Sequence, residues 1–127
     1  MKIIIDTHTF LWFINESPKL SVTIKTLIEA DTDLLLSVAS LWEIAVKVSI
    51  GKLNLPDTFE RFIPEQLMLN DIEILPIALP HLNLVATLPL HHRDPFDRLL
   101  IAQSMAEGLA IASVDGIFDA YKVNRIW

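Results

Sequence analysis

The chain has 127 residues, no cysteine and a formal net charge of −6, and 52% of its residues are hydrophobic. This length predicts a single domain, residues 1–127, with a substantial core; the lack of cysteine excludes a disulfide framework and fits a reducing cytoplasm. The negative charge argues against broad, charge-driven binding of nucleic acid, which depends on lysine and arginine. A nuclease is still allowed, because part of that charge can belong to a metal site.

In chain order, short apolar runs alternate with segments of helical periodicity. Strands are predicted at residues 2–6, 34–37, 72–77, 109–114 and 123–127. Helices are predicted at residues 7–15, 20–30, 38–48, 82–88 and 94–107, and another begins at Asp57 or Thr58. Pro64 lies inside this last helix and predicts a break or two short helices. The alternation predicts crossover connections, and hence an α/β domain with a parallel sheet.

The uncharged stretch from residue 74 to residue 92 approaches the length of a membrane span. Prolines interrupt it at positions 76, 80 and 89, and histidine and asparagine add polarity. We therefore predict a strand, a loop and a short helix here, and no membrane segment. A signal peptide is not expected either, because Asp6 ends the apolar run that follows Lys2.

Four acidic residues stand where predicted strands end or predicted helices begin. Asp6 follows the first strand, and Asp115 follows the fourth. Glu43 lies one turn into the helix after the second strand, and Asp97 opens the last helix. Because the carboxyl ends of parallel strands lie along one edge of a sheet, we expect these acids to meet there. Two carboxylates about 5 Å apart repel by roughly 3 kcal/mol, so the pattern predicts a divalent cation such as Mg²⁺.

Each acid also has a purely structural explanation, which the sequence leaves open. Asp6 can be a turn residue after a strand, and Asp115 can belong to an Asp115-Gly116 turn. Glu43 can form an i,i+4 ion pair with Lys47 on a helix face. It is the joint placement of the four acids, and not any one of them, that favours a site.

The segment from residue 94 to residue 97 is typical of a helix start. Asp94 is predicted as the N-cap, Pro95 at the first helical position and Asp97 at the third. An acid in the first turn suits the helix dipole, so Asp97 can be a helix-start residue and a ligand at once.

Several common catalytic motifs are missing. Glycine-rich loops of the G-x-G-x-x-G and G-x-x-x-x-G-K-[ST] types are absent, and there is no cysteine nucleophile. Asp6 is not followed by a second acid two residues on, which argues against a phospho-aspartate phosphatase.

Five segments together resemble a known family, the PIN-domain ribonucleases. The segments are Ile5-Asp6-Thr7-His8, Ser40-Leu41-Trp42-Glu43-Ile44-Ala45-Val46-Lys47, Gly51-Lys52-Leu53, His91-His92-Arg93-Asp94-Pro95-Phe96-Asp97-Arg98-Leu99-Leu100-Ile101-Ala102-Gln103 and Ser113-Val114-Asp115. Within that family the chain is most similar to the VapC type, the toxin of bacterial toxin–antitoxin pairs. Order and spacing agree over nearly the whole chain, which makes the set specific although each segment alone is weak.

The resemblance implies a PIN-like three-layer α/β fold, with a central parallel sheet of about five strands flanked by helices. It implies RNA cleavage that depends on Mg²⁺ or Mn²⁺, homodimers, and inhibition by a small antitoxin protein in a type II toxin–antitoxin system. By position, Asp6 and Asp97 would be catalytic metal ligands, and Glu43 and Asp115 would bind the metal or hold its waters. Asp94 is an extra acid whose role the resemblance leaves open.

Other residues are weaker candidates. Basic residues near the acids can contact the RNA backbone, although an ordinary solvated face explains them equally well: Lys47, Lys52, Arg93 and Arg98. The histidines of interest are expected to be structural or exposed rather than to assist chemistry: His8, His91 and His92.

Aromatic residues are expected to serve packing. The tryptophans are predicted in the core or at a subunit contact, in preference to base stacking: Trp12, Trp42 and Trp127. The high apolar fraction predicts self-association through a shared surface, for which four residues are candidates: Phe10, Trp12, Phe13 and Trp42.

Two other functional classes fit the same acids. The chain can be a metal-dependent phosphatase on a similar sheet, which a small-ester assay with Mg²⁺ would reveal. It can also be a catalytically silent module whose acidic crevice receives a basic partner segment. The intact set of four acids argues against the silent alternative.

Overall fold

The computed structural model describes all 127 residues and contains one five-stranded parallel sheet in the order β3-β2-β1-β4-β5. The strands are β1 (Lys2–Ile5), β2 (Asp33–Ser37), β3 (Ile72–Leu75), β4 (Ala110–Ala112) and β5 (Arg125–Ile126). The central strand β1 pairs with β2 on one side and β4 on the other, with Ile5 opposite Leu36 and Ala112. Every strand therefore ends at the same edge of the sheet.

Helices cover both faces of the sheet, and β1 shows why. Successive strand residues point to opposite faces. Ile3 and Ile5 belong to one core cluster and Ile4 to the other, and all three are fully buried. The first cluster includes residues of the first four helices. The second includes Ala39 of the third helix and three residues of the last, with Val85 of the fifth packed against it. The predicted three-layer α/β fold with a five-stranded parallel sheet is confirmed.

The helices follow the predicted alternation with small shifts in their bounds. They are α1 (Thr7–Ile14), α2 (Val22–Glu29), α3 (Val38–Ser49), α4 (Phe59–Leu69), α5 (Leu79–Thr87) and α6 (Pro95–Glu107), with a 3₁₀ turn at Gly116–Ala120. Side chains of Asp6, Ser21, Ser37 and Asp94 cap the amino ends of α1, α2, α3 and α6. Gly108 ends α6 in the left-handed conformation, with φ 64°.

Two predicted details were wrong. Pro64 does not break α4, which is one continuous helix. Pro64 has no amide hydrogen to donate to the Glu60 carbonyl, but both residues are exposed, so water can hydrogen-bond to that carbonyl. The opposite face of the helix is buried through Ile63 and Leu67. Helix α5 begins at Leu79 and not at residue 82, because Pro80 is well suited to the first helical turn.

The uncharged stretch folds as predicted into a strand, a connection and a short helix, namely β3 and α5. None of the helices combines the length and the hydrophobicity needed to cross a lipid bilayer.

Candidate active site

Three of the four acids are brought together by the ends of the central strands. Asp6 directly follows β1, and Asp115 follows β4 after two residues. Asp97 lies in the first turn of α6. Their side chains share a cavity of about 370 Å³, which His8, Trp12 and Val114 also line. The cavity lies at the carboxyl edge of the sheet, where ligands bind in open parallel sheets.

Asp6 is buried, with 4% of its surface exposed, and only one of its two carboxylate oxygens is hydrogen-bonded to the protein. As the N-cap of α1, its Oδ1 accepts a hydrogen bond from the Thr9 amide (2.8 Å) and lies 2.6 Å from the Thr9 hydroxyl. No protein donor reaches Oδ2. The predicted turn role is therefore compatible with a ligand role, because the two roles use different oxygens.

Glu43 is equally buried, and both its oxygens are occupied. The Thr7 hydroxyl donates to Oε1 at 2.8 Å, and Lys47 Nζ donates to Oε2 at 2.7 Å. The Thr7 hydroxyl also lies 2.9 Å from the Ser40 hydroxyl, which completes a buried polar group around the carboxylate. The i,i+4 pair with Lys47 is confirmed, and it neutralises Glu43 next to the cavity.

Asp97 carries the electrostatic strain of the site. Its pKa is raised from 3.8 to about 7, first by burial, then by Asp94, with smaller contributions from Glu43 and Asp6. Only His92 acts in the opposite direction. Burial and the neighbouring acids therefore disfavour the charged form of this carboxyl, a kind of perturbation that is common at functional sites.

Asp94 is the predicted N-cap of α6, and the structure confirms it. Its Oδ1 accepts hydrogen bonds from the amides of Phe96 (2.8 Å) and Asp97 (3.0 Å). The side chain therefore completes the helix start while its charge raises the pKa of Asp97.

His92 is placed between acids, which sequence reasoning did not anticipate. Its ring is buried, and Nε2 lies 2.7 Å from Asp115 Oδ2 and 3.3 Å from Asp97 Oδ2. The other oxygen of Asp115 accepts from the Ile117 amide at 2.9 Å. The signal that could have found His92 is its position two residues before the N-cap of a helix that carries a candidate ligand. His91, in contrast, is exposed as expected, and so is His8.

The four basic candidates have different surroundings. The Arg98 guanidinium donates to the backbone carbonyls of Leu88, Pro89 and His92, at 3.0 to 3.2 Å, and so holds the loop before α6 in place. Lys47 is paired with Glu43. Lys52 and Arg93 are exposed and bind no acidic partner. Arg98 therefore stabilises the fold and Lys47 is bound to Glu43, whereas Lys52 and Arg93 are exposed.

The candidate aromatic surface needs one correction. Phe10 is fully buried in the core under α1, so it cannot contribute to a shared surface. Trp12 packs against Trp127, with ring centres 5.8 Å apart, and is partly buried as predicted. Trp42 is 58% exposed and meets Phe96 edge-on at 5.0 Å, directly beside the helix start that carries Asp97.

The donor set of the cavity fits a hard divalent cation. Carboxylate oxygens are the ligands that Mg²⁺ and Mn²⁺ prefer, and free oxygens remain on Asp6 and on Asp97, where no protein donor reaches Oδ1. Burial and the nearby acids raise the pKa of Asp97, and a bound cation would offset this effect.

A family model described as the PIN domain matches residues 3–124, so the chain belongs to the PIN domain family. Proteins of this family are generally nucleases, that is, hydrolases. No curated protein matches the chain significantly by sequence.

Solved structures with the same fold have low sequence identity to the chain. The structure of VapBC2 from Rickettsia felis bound to a promoter DNA fragment has a TM-score of 0.74 at 15% identity. The alignment covers 99% of this chain and 98% of that one. FitAcB from Neisseria gonorrhoeae has a TM-score of 0.71 at 20% identity, and the alignment covers 100% of this chain and 97% of that one. VapBC-5 from Mycobacterium tuberculosis, a member of the VapBC family of toxin–antitoxin systems, has a TM-score of 0.61 at 18% identity, with 98% of each chain covered.

Proposed function

We propose that the chain is a metal-dependent endoribonuclease that hydrolyses RNA phosphodiester bonds as the toxin of a type II toxin–antitoxin system. The observation that carries the proposal is the cavity in which Asp6, Asp97 and Asp115 meet, with the pKa of Asp97 raised to about 7. Membership of a family of nucleases supports the same chemistry.

In this proposal Asp6 and Asp97 would hold Mg²⁺ or Mn²⁺ directly, and Glu43 and Asp115 would hold the ion or its waters. A bound divalent ion lowers the pKa of water, orients it for in-line attack on phosphorus and stabilises the leaving oxygen. The structure supports this division, because Asp6 and Asp97 keep free oxygens whereas both oxygens of Glu43 are already bonded.

The chain's own residues set up the site. Thr9 and Thr7 fix the carboxylates of Asp6 and Glu43 by hydrogen bonds, so these groups keep their orientation without substrate. Lys47 cancels the charge of Glu43, which limits the repulsion that an approaching phosphodiester meets. Arg93 and Lys52 are exposed and are the basic residues that we propose for backbone contacts.

We further propose an antitoxin partner and a homodimer. The antitoxin follows from the similarity in fold to VapBC-5, a toxin–antitoxin system by its description. For the homodimer, the exposed Trp42 and its neighbour Phe96 form an aromatic surface beside the start of α6, which suits contact with a second copy. Light scattering at micromolar concentration tests the dimer, and a monomer would contradict it.

The central test is RNA cleavage by the purified protein with Mg²⁺ or Mn²⁺, and with a chelator. Asp6→Asn and Asp97→Asn should each lower the rate by about a hundredfold or more, because each removes a ligand charge from the reacting centre. Asp31→Asn is a matched control, since Asp31 precedes β2 at the opposite edge of the sheet and is exposed. It should retain the rate of the natural chain.

The same preparations separate the alternatives. Hydrolysis of a small phosphate ester without RNA cleavage would indicate the phosphatase. Folded protein that binds metal but hydrolyses neither substrate would indicate the silent module. RNA cleavage that survives in both Asp6→Asn and Asp97→Asn would come from a contaminating nuclease or another site, and would contradict the assignment.

A further inference from the structure

His92 and its two acidic neighbours have the composition of a metal site, and two roles are conceivable for the ring. One ligand atom from each of His92, Asp97 and Asp115 lies within 4.8 Å of the others. The imidazole can therefore be a nitrogen ligand, or it can be a hydrogen-bond donor that orients the acids. The two roles require opposite protonation of Nε2, because only an unprotonated ring nitrogen binds a metal.

The other ring nitrogen discriminates between these roles. The backbone amide of Asp94 donates to His92 Nδ1, with 3.2 Å between the nitrogens. An amide N–H is always a donor, so Nδ1 must be the unprotonated acceptor and the proton of the neutral ring must lie on Nε2. Moving that proton to Nδ1, as a ligand role for Nε2 requires, would set two N–H groups against each other at the start of α6.

The rest of the ring's surroundings keep it in this orientation. The His92 amide donates to the Tyr121 hydroxyl at 2.7 Å, and that hydroxyl in turn donates to the Pro89 carbonyl at 2.7 Å. Phe118 contacts the ring edge-on with centres 5.7 Å apart. The imidazole is thus held by the hydrogen bond of its own backbone amide, by contact with the Phe118 ring and by the hydrogen bond to Nδ1. Only Nε2 faces the acids.

Asp115 is the residue that needs this support. It follows a strand of only three residues, and its side chain is 31% exposed, compared with 6% for Glu43. Oδ1 caps the 3₁₀ turn, and Oδ2 accepts a hydrogen bond from His92 Nε2–H, with 2.7 Å between the heavy atoms. A carboxylate with both oxygens bonded keeps one orientation, in the way that partners of metal ligands commonly do.

We propose that His92 is a positioning residue and not a metal ligand. Its Nε2–H donates a hydrogen bond to Asp115 and so joins the segment after β4 to the segment before α6. The inference rests on the proposed function in so far as the acids bind a cation. A site without a nitrogen ligand selects hard, oxygen-preferring ions such as Mg²⁺ and Mn²⁺.

The first test needs no variant and no metal. Nitrogen-15 NMR of the imidazole in metal-free protein should show His92 as the tautomer with protonated Nε2, and added Mg²⁺ should leave that tautomer unchanged. In metal-free Asp115→Asn the Nε2 proton resonance should move. A ring protonated on Nδ1, with or without Mg²⁺, would overturn the proposal. Because the metal-free measurement is independent of cleavage, it still decides the role of His92 if no RNA is hydrolysed.

The second test uses two substitutions and the affinity for Mn²⁺, measured by calorimetry. In His92→Gln an amide N–H replaces Nε2–H, so the affinity should stay within about threefold of the natural chain. His92→Phe keeps the ring packing on Phe118 but has no donor, and the affinity should fall by about tenfold or more. Equal affinities for the two variants would mean that the ring serves packing alone, and would contradict the proposal.

An independent signature excludes a ligand role. Electron spin-echo modulation of bound Mn²⁺ should lack coupling to an imidazole nitrogen in the natural chain. Such coupling, lost in His92→Gln, would show that the ring binds the metal and would overturn the proposal. If no Mn²⁺ binds at all, the proposed function fails, whereas the tautomer in the metal-free protein still tests the hydrogen bond to Asp115.

Discussion

The two halves of the acidic site are built differently. Asp6 and Glu43, at the start of α1 and in α3, are about 95% buried, and dedicated threonine and lysine donors hold them. Asp97 and Asp115, around the start of α6 and the end of β4, are more exposed, and a single shared histidine links them. In the first half, hydrogen-bond donors of the protein itself stabilise the carboxylates. The second half contains Asp97, whose pKa is raised to about 7.

This contrast indicates that a cation would stabilise the second half of the site more than the first. At Glu43, hydrogen bonds from Thr7 and Lys47 stabilise the buried negative charge. At Asp97, burial and the nearby acids outweigh the stabilising effect of His92 and raise the pKa, so a bound cation would stabilise the carboxylate. The following predictions test whether the two halves differ in this way.

The largest expected effect is metal-induced stabilisation. An ion that binds the folded chain and not the unfolded chain stabilises the fold by about 2.7 kcal/mol when its concentration is a hundred times Kd. For a domain of this length, this raises Tm by on the order of 10 °C. Calorimetry with Mn²⁺ should show this shift in the natural chain and in Asp31→Asn, and Asp97→Asn should lose most of it. Asp97→Asn that shifts as much as the natural chain would place the ion elsewhere.

The second effect is a dependence of stability on pH without metal. A carboxyl pKa that is higher in the folded than in the unfolded chain means that the folded state binds the proton more tightly. The stability of the metal-free chain should therefore fall as the pH rises from about 4 to about 7. We expect Asp97 to contribute about 2 kcal/mol to this fall, after allowance for solvent screening of a partly exposed group.

Asp97→Asn isolates that contribution. Its free energy of unfolding at pH 8, with chelator present, should exceed that of the natural chain, and the difference should vanish near pH 4. Urea unfolding at the two pH values measures both quantities. A variant that is less stable than the natural chain at pH 8 would mean that Asp97 acts mainly as a helix-start residue.

The smallest expected effect concerns Asp94, the neighbour that caps the helix. Asp94→Ala should cost about 1 kcal/mol of stability, because two amides at the start of α6 lose their acceptor, and Asp94→Ser should restore most of it. Metal affinity should survive in Asp94→Ser, because a hydroxyl can cap the helix in place of the carboxylate. Folded Asp94→Ser that no longer binds Mn²⁺ would instead make Asp94 a ligand.

Much of the architecture could be predicted from sequence because its signals are local. Short β-branched runs such as Ile3-Ile4-Ile5, separated by helical periodicity, predicted the parallel sheet, and parallel strands bring their carboxyl ends to one edge. The cap at Asp94 was visible in the same way, because helix ends depend on the residues beside them. Pro64 was the exception, since the exposure of a helix face to water is decided by packing.

The sequence by itself thus determined the elements, the caps and the acids that accompany the strand ends. Only the tertiary structure decided which acid is compensated and which is strained, because a pKa depends on neighbours from distant parts of the chain. It also decided that Arg98 holds a loop, that Phe10 lies in the core, and that His92 reaches Asp115, 23 residues away. Each of these features depends on the packing of segments that lie far apart in the chain, which no local pattern encodes.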